Sequence, residues 1–285
     1  MGDYVNYKKL NKPNDINLPF FAYGVLKPGE IAYSRIKGLI YEKNETCVNY
    51  PMLHRDGVPI LLSKASEFAE TCGYVFHFSD SEEAYGIITE TISGKLYRWG
   101  TIDIGQEKVN VLFGKNPSAG SNDIEDPSER KSYTGRNDPL FKEGLQLIKD
   151  NLKSGNFTWE KGFFNLQMNY MLLWSAIDRY CKLRYYRKKE HESREELSKE
   201  KVFREALDKY AGGKHYRTIY TTDDLSKKEF DLDNPKYCLN YYYTLRCNIV
   251  HRGKSSFKDT DLLMEATRDL LKIFEYILED AFKEE

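Results

Sequence analysis

The chain has 285 residues, and its 43 Lys and Arg against 44 Asp and Glu give a formal net charge of −1. That excludes a global basic footprint for nucleic acid and leaves only local patches for the role. The five cysteines, Cys47, Cys72, Cys181, Cys238 and Cys247, are odd in number and scattered, with no C-x-x-C pair, which argues against a disulfide framework or a zinc site and for a reducing compartment.

In chain order, Met1-Gly2-Asp3-Tyr4 lacks the apolar core of a signal peptide. Short β-branched and aromatic runs follow at Pro19 to Tyr23, Ile36 to Tyr41, Val58 to Leu62, Gly73 to Phe78, Leu96 to Ile104 and Lys108 to Phe113, separated by glycines and polar turns. Between the fourth and fifth, Ser79-Asp80-Ser81-Glu82 opens a helix to about Thr89 in capping-box style. Short strands with one helix predict a small α+β barrel. Residues 115–139, with Asp126-Pro127 and Asp138-Pro139, read as a linker.

From residue 140 the period becomes helical. Leu140, Phe141, Leu145, Ile148 and Leu152 form one amphipathic face, and Trp159 to Arg187 reads as a central helix. Its apolar run, Phe163 to Tyr186, is interrupted by Asn165, Gln167, Asn169, Asp178 and Arg179, so it predicts a buried helix rather than a membrane span. Lys188 to Lys201 alternates in charge, Val202 to Tyr210 continues as helix, and Gly212-Gly213 stops it. Residues 214–233 read as loop. Asn234-Pro235 starts a helix that Gly253 ends, with Tyr237, Tyr241, Leu245 and Ile249 as its core-facing stripe. Asp259 to Phe282 is the last helix. The expected domains are residues 1–114 and, after the linker, a bundle of four or five helices over 140–285.

Two constellations carry chemistry. The first, Tyr23-Gly24-Val25-Leu26-Lys27-Pro28-Gly29-Glu30, is a strand running into a glycine turn, where backbone amides can approach an anion. With Gly73-Tyr74-Val75-Phe76, and Glu90 followed seven residues later by Tyr97, it resembles the gamma-glutamylcyclotransferase-like fold over residues 18–114. The resemblance implies a pocket lined by Tyr23, Gly24, Val25, Leu26 and Tyr97 for a small γ-glutamyl-like ligand. It also implies Glu90 as the base that takes a proton from the α-amine while 5-oxoproline forms. Val25 stands where that family has Ser or Thr, and Thr91 follows Glu90 where the family has glycine.

The second constellation is Arg246-Cys247-Asn248-Ile249-Val250-His251, an R-x-x-x-x-H motif late in a capped helix. In an all-helical setting it resembles HEPN domains, whose members with this motif are mostly metal-independent endoribonucleases working as dimers. Histidine exchanges protons near neutral pH, and arginine offers a fixed fork of donors to phosphate oxygens. Asn248, three residues before His251, can orient the imidazole on one helix face. Arg246 and His251 are about 140° apart on a regular helix, so arginine's reach, fraying near Gly253 or a second protomer must bring them together, and the resemblance implies the second protomer.

The expectation is a ribonuclease-like effector carrying a cyclotransferase-like sensor, acting as a homodimer through the helical domain on RNA, in microbial defence or toxin-like control. It uses no metal, cofactor or membrane and works in the cytoplasm. The alternatives are a γ-glutamyl cyclotransferase whose helical domain dimerises it, and a non-catalytic binding protein.

Overall fold

The structure is a computed structural model that describes residues 10–55, 57–116, 131–155, 161–186, 189–220, 226–252 and 260–283. The side chains of residues 161, 251 and 252 lie outside that description. The molecule is α+β and divides into two compact units. The first contains Met1–Asp138, Lys182–Arg187 and Ala281–Glu285, and the second Pro139–Cys181 and Lys188–Asp280. Two segments that the sequence assigns to the helical domain therefore cluster with the first unit. No helix among the described residues is long and apolar enough to cross a membrane.

The first unit holds strands β1 (Phe20–Ala22), β2 (Ile40–Val48), β3 (Met52–Arg55), β4 (Val58–Leu61), β5 (Thr71–Phe78), β6 (Tyr97–Ile104) and β7 (Glu107–Gly114), with helix α1 (Ser81–Thr91). The main sheet has the order β2-β5-β1-β7-β6, and β3-β4 forms a separate hairpin. Both edge strands of that sheet remain edges, so the expected barrel is an open sheet instead. β1 is central, antiparallel to β5 (Phe20 opposite Phe76) and parallel to β7. Its three residues are all buried, as a strand covered on both faces requires. β2 instead presents Glu42, Lys43, Asn44 and Glu45 to solvent, and charged side chains protect an edge strand from pairing with another chain.

Aromatic rings fill the space under α1. Tyr85 lies 5.6 Å from Phe78 and 5.5 Å from Trp99, ring centre to ring centre, and Phe20 lies 5.8 Å from Trp99. Each such pair contributes about 1 kcal/mol beyond area burial. Buried Asn110 donates to the Tyr85 hydroxyl at 2.8 Å and to the Asp15 carbonyl at 2.7 Å, which ties the N-terminal segment to β7. α1 starts where the sequence predicts: Asp80 caps it by accepting from the Glu83 amide at 2.8 Å.

Cys47 and Cys72 face each other across β2 and β5 and form a disulfide. This corrects the reading against disulfides. The cysteines are 25 residues apart in sequence, and strand register, which their spacing does not encode, makes them neighbours.

The second unit contains α2 (Leu145–Ser154), most of α3 (Lys161–Arg184), α4 (Glu190–Lys199), α5 (Lys201–Tyr210), α6 (Pro235–Arg252) and nearly all of α7 (Thr260–Ala281). Among the described residues that makes six α-helices, where the sequence suggests four or five. β8 (Tyr216–Tyr220) and β9 (Lys227–Asp231) pair as a hairpin where a loop is expected. The strand signal is hidden because Ile219 is the one buried residue of the pair, while β9 is mostly charged and the end tyrosines of β8 are exposed. The core collects Tyr170, Leu173, Trp174 and Ile177 of α3, Phe203 of α5, Tyr242 of α6 and Phe274 of α7. The Tyr170 hydroxyl donates to the Tyr242 carbonyl at 2.6 Å, satisfying a group that would be costly to bury alone. The stripe expected on α6 is corrected at one end. Tyr241 and Leu245 are buried, but Tyr237 is 51% exposed, and Cys238 and Leu239 take the inner positions.

Candidate functional sites

In the first unit the chain leaves β1 at Ala22 and turns back on itself. The Lys27 amide donates to the Gly24 carbonyl at 3.0 Å and the Ala32 amide to the Val25 carbonyl at 2.9 Å. Gly29, at φ 75°, takes the left-handed conformation that suits glycine. Tyr23, Gly24, Val25 and Leu26 line a cavity of about 70 Å³, and Tyr97 lines it from β6. Val25 and Leu26 are buried, yet among the described residues no acceptor meets either backbone amide. Buried residues whose amides lack partners are uncommon, and both of these residues line the cavity. A side chain at Gly24 would come 2.9 Å from the Pro59 ring, so a glycine lets the turn close over the hairpin.

Both tyrosines act as posts. The Tyr23 hydroxyl donates to the Leu112 carbonyl at 2.6 Å and accepts from the Leu61 amide at 3.4 Å. Burial pushes that phenol well up, with nearby Tyr97 adding to it, so it stays neutral. The Tyr97 hydroxyl donates to the Pro59 carbonyl. These bonds fix the rings against the walls. The cavity's other polar side chains, which sequence reasoning missed, are Thr91, Ser93, Lys182 and Tyr186.

Glu90 does not line this cavity. It is exposed, with its carboxylate 3.8 Å from Arg35. Arg35 also donates to Thr91 Oγ1 at 2.7 Å and to the Arg184 carbonyl at 2.9 Å. Successive residues of a helix point about 100° apart, so turning Thr91 inward turns Glu90 outward. A different carboxylate is buried nearby. Glu30, 3% exposed, accepts from the Gly135 amide at 2.9 Å. Desolvation raises its pKa to about 7, against the lowering effects of that bond and of Lys27. No motif marks Glu30, because its burial depends on a segment 105 residues away.

In the second unit α6 presents the R-x-x-x-x-H segment. Asn234 starts the helix as expected, accepting from the Lys236 amide at 3.1 Å. Arg246 is partly buried, its guanidinium 5.6 Å from the centre of the Tyr243 ring. Arg194 of α4 lies much closer to the same ring, at 3.4 Å, and Trp174 meets it edge-on at 5.6 Å. Asn248 is 2% exposed and donates to the Tyr220 carbonyl at 3.2 Å, which anchors the end of β8. His251 belongs to the last turn of α6, and its side chain lies outside the described residues, as does Gly253. The contact expected between Asn248 and the imidazole therefore also falls outside them.

Three further cations among the described residues, Lys214, Arg217 and Arg184, have local partners. Lys214 pairs with Glu265 at 2.8 Å and with Asp269, and Arg217 pairs with Glu265 at 2.9 Å. Arg184 donates to Ser34 at 2.9 Å within the first unit. These engagements tie the basic residues to acceptors within their own unit, Lys214 and Arg217 sharing Glu265. Cys47, Glu70 and Cys72 stand within ligand distance of one another, 4.8 Å, but the disulfide removes both thiolates from metal binding.

No family model matches the chain, and no curated protein matches it. Among solved structures, an uncharacterized protein from Pyrococcus horikoshii is similar at 17% identity over 47% of this chain and 96% of that chain. Its TM-score of 0.29 carries no argument about fold or activity.

Proposed function

We propose that the chain is a ligand-responsive, metal-independent ribonuclease-like effector. Its first unit, of gamma-glutamylcyclotransferase-like type, binds a small carboxylate-bearing ligand. Its helical unit, of HEPN type, works on RNA as a homodimer. The observation that carries the first half is the cavity under the Tyr23–Leu26 turn, lined by two residues, Val25 and Leu26, whose amides meet no acceptor among the described residues. A ligand carboxylate would accept from both, as anions do in backbone nests. The second half rests on Arg246 and His251 near the end of α6. Arg246 would neutralise the phosphate, and His251 would exchange protons with the attacking 2′-hydroxyl or the leaving oxygen. Phe164 and Met168, one turn apart on α3 and 56% and 69% exposed, give the helical unit apolar surface for a second copy.

The cyclotransferase alternative has less support. Glu90 is solvated and beside Arg35, whereas a base acting on a bound α-amine must reach into the cavity. The non-catalytic alternative is favoured by that same placement, but for the first unit alone.

RNA cleavage by the wild type, Arg246→Ala and His251→Ala, in the presence of a chelator, tests the reading. Cleavage by the wild type and its loss in both variants is expected. Equal cleavage by all three would sink it. Release of 5-oxoproline from γ-glutamyl amines above a Glu90→Gln control would restore the cyclotransferase alternative.

A further inference from the structure

The wall of the cavity under the Tyr23–Leu26 turn is mostly hydrocarbon. Val58, Ile92, Leu96, Leu112 and Leu183 line it together with Val25. Four of its polar side chains already bond the protein. The Tyr23 hydroxyl holds the Leu112 carbonyl and the Leu61 amide, and the Tyr97 hydroxyl holds the Pro59 carbonyl. Thr91 Oγ1 donates to the Ile87 carbonyl at 2.9 Å and accepts from Arg35 at 2.7 Å. Ser93 Oγ accepts from the Lys95 amide at 3.2 Å. Among the described residues Lys182 is the one formally charged residue in the lining, and Glu30 and Glu90 both lie outside it.

This composition sorts ligands. A γ-glutamyl group brings an α-ammonium, which needs water or a counter-charge when it is buried. The wall supplies no anion, and Lys182 opposes a second cation. An aliphatic tail carries no such cost and gains by leaving water. Volume sets the length of that tail. About 70 Å³ is roughly half the volume of an apolar cavity that takes benzene, so roughly three carbon atoms fit.

We propose that the ligand of the first unit is a short-chain aliphatic carboxylate, with its acid group at the Tyr23–Leu26 turn and its hydrocarbon tail in the cavity, and that γ-glutamyl compounds are rejected. The inference rests on the carboxylate reading of that turn and adds the chemistry of the ligand's body.

Ligand-observed NMR titration of the full chain with butanoate, 4-aminobutanoate, butanamide and γ-glutamylalanine tests it. 4-Aminobutanoate is butanoate with an ammonium at the end of the tail, and butanamide keeps the tail and loses the charge. Saturable binding of butanoate is expected, with 4-aminobutanoate weaker by about tenfold or more and γ-glutamylalanine not bound. Val58→Phe adds a ring at a half-buried position of the wall and should weaken butanoate by about tenfold or more. Circular dichroism reports whether that variant folds, and Leu96→Phe, at a second half-buried position, decides if it does not. Binding of 4-aminobutanoate or γ-glutamylalanine as tightly as butanoate would overturn the inference and leave the carboxylate reading standing. Butanamide bound as tightly as butanoate would overturn the carboxylate reading, and with it the ligand class proposed here. Absence of saturable butanoate binding, or an affinity unchanged in the folded variants, would also overturn the inference.

Discussion

In the proposed reading, the groups offered to a ligand at the Tyr23–Leu26 turn are main-chain amides. At the end of α6 they are side chains on one helix. The first arrangement tolerates sequence change, because any residue but proline at position 25 still supplies an amide N–H, and Val25 would keep that part of the proposed site without a hydroxyl. The second depends on which way each side chain points. There the structure gives Asn248 a place in the architecture, on the Tyr220 carbonyl, and surrounds Tyr243 with two arginines. A site made of backbone is read from glycines and strand ends. A site made of side chains needs the register of every neighbouring helix.

The sharpest way to break this contrast is at its extremes. His251→Ala should lower RNA cleavage by two to four orders of magnitude, roughly the worth of a positioned acid–base group, while Glu90→Gln leaves both RNA cleavage and 5-oxoproline release at wild-type levels. A loss with Glu90→Gln would mean that the exposed carboxylate has a role the cavity does not show.

Next in size is the first unit's packing. Phe76→Ala removes a ring that is 0% exposed in the central sheet and should lower unfolding free energy by about 3–5 kcal/mol in urea denaturation. A cost under about 1 kcal/mol would mean that the surrounding core relaxes to refill the space.

Glu30 gives a pH test. Its folded-state pKa, about 7, lies above the ordinary value of 4.5, so the folded state binds the proton more tightly. Its contribution to stability is fully present below about pH 4.5 and is lost as pH rises through about 7. Glu30→Gln keeps an acceptor for the Gly135 amide and removes the charge. It should flatten that part of the stability curve and be more stable than wild type at pH 8, by up to about 3 kcal/mol. Parallel curves for the two proteins would show that Glu30 is solvated.

The smallest effect expected is at Asn248. Asn248→Ala leaves the Tyr220 carbonyl without this donor and should cost about 1–3 kcal/mol with RNA cleavage retained at temperatures where the variant is folded. Loss of cleavage in a folded Asn248→Ala protein would move the residue from the architecture into the site.

Local chemistry carried much of this structure. The cap at Asp80, the strand before Gly24, the start of α6 at Asn234 and the apolar face of α7 are all written within a few adjacent residues, where propensity and periodicity act. Among the expected cavity residues, Tyr23, Gly24, Val25, Leu26 and Tyr97 meet at one space. What could not be read depends on distant partners. Glu90 faces out because Thr91 faces in, a matter of helix phase at the last turn of α1. Glu30 is buried by residue 135, and Arg194 is distinguished by a tyrosine on another helix. The β8–β9 hairpin, with one buried side chain, shows the same limit from the side of secondary structure.

The Cys47–Cys72 bridge changes what a cut in the chain means. It joins the two ends of a segment that holds the whole β3–β4 hairpin, turning that stretch into a covalent loop. Lys64 and Phe68 lie on this loop and are exposed, Phe68 fully. A protease that cleaves after either one severs the backbone without separating the pieces. The nicked protein would run as a single band on a gel until a reductant is added and then fall into two, so a digest analysed only without reductant would miss the cut altogether.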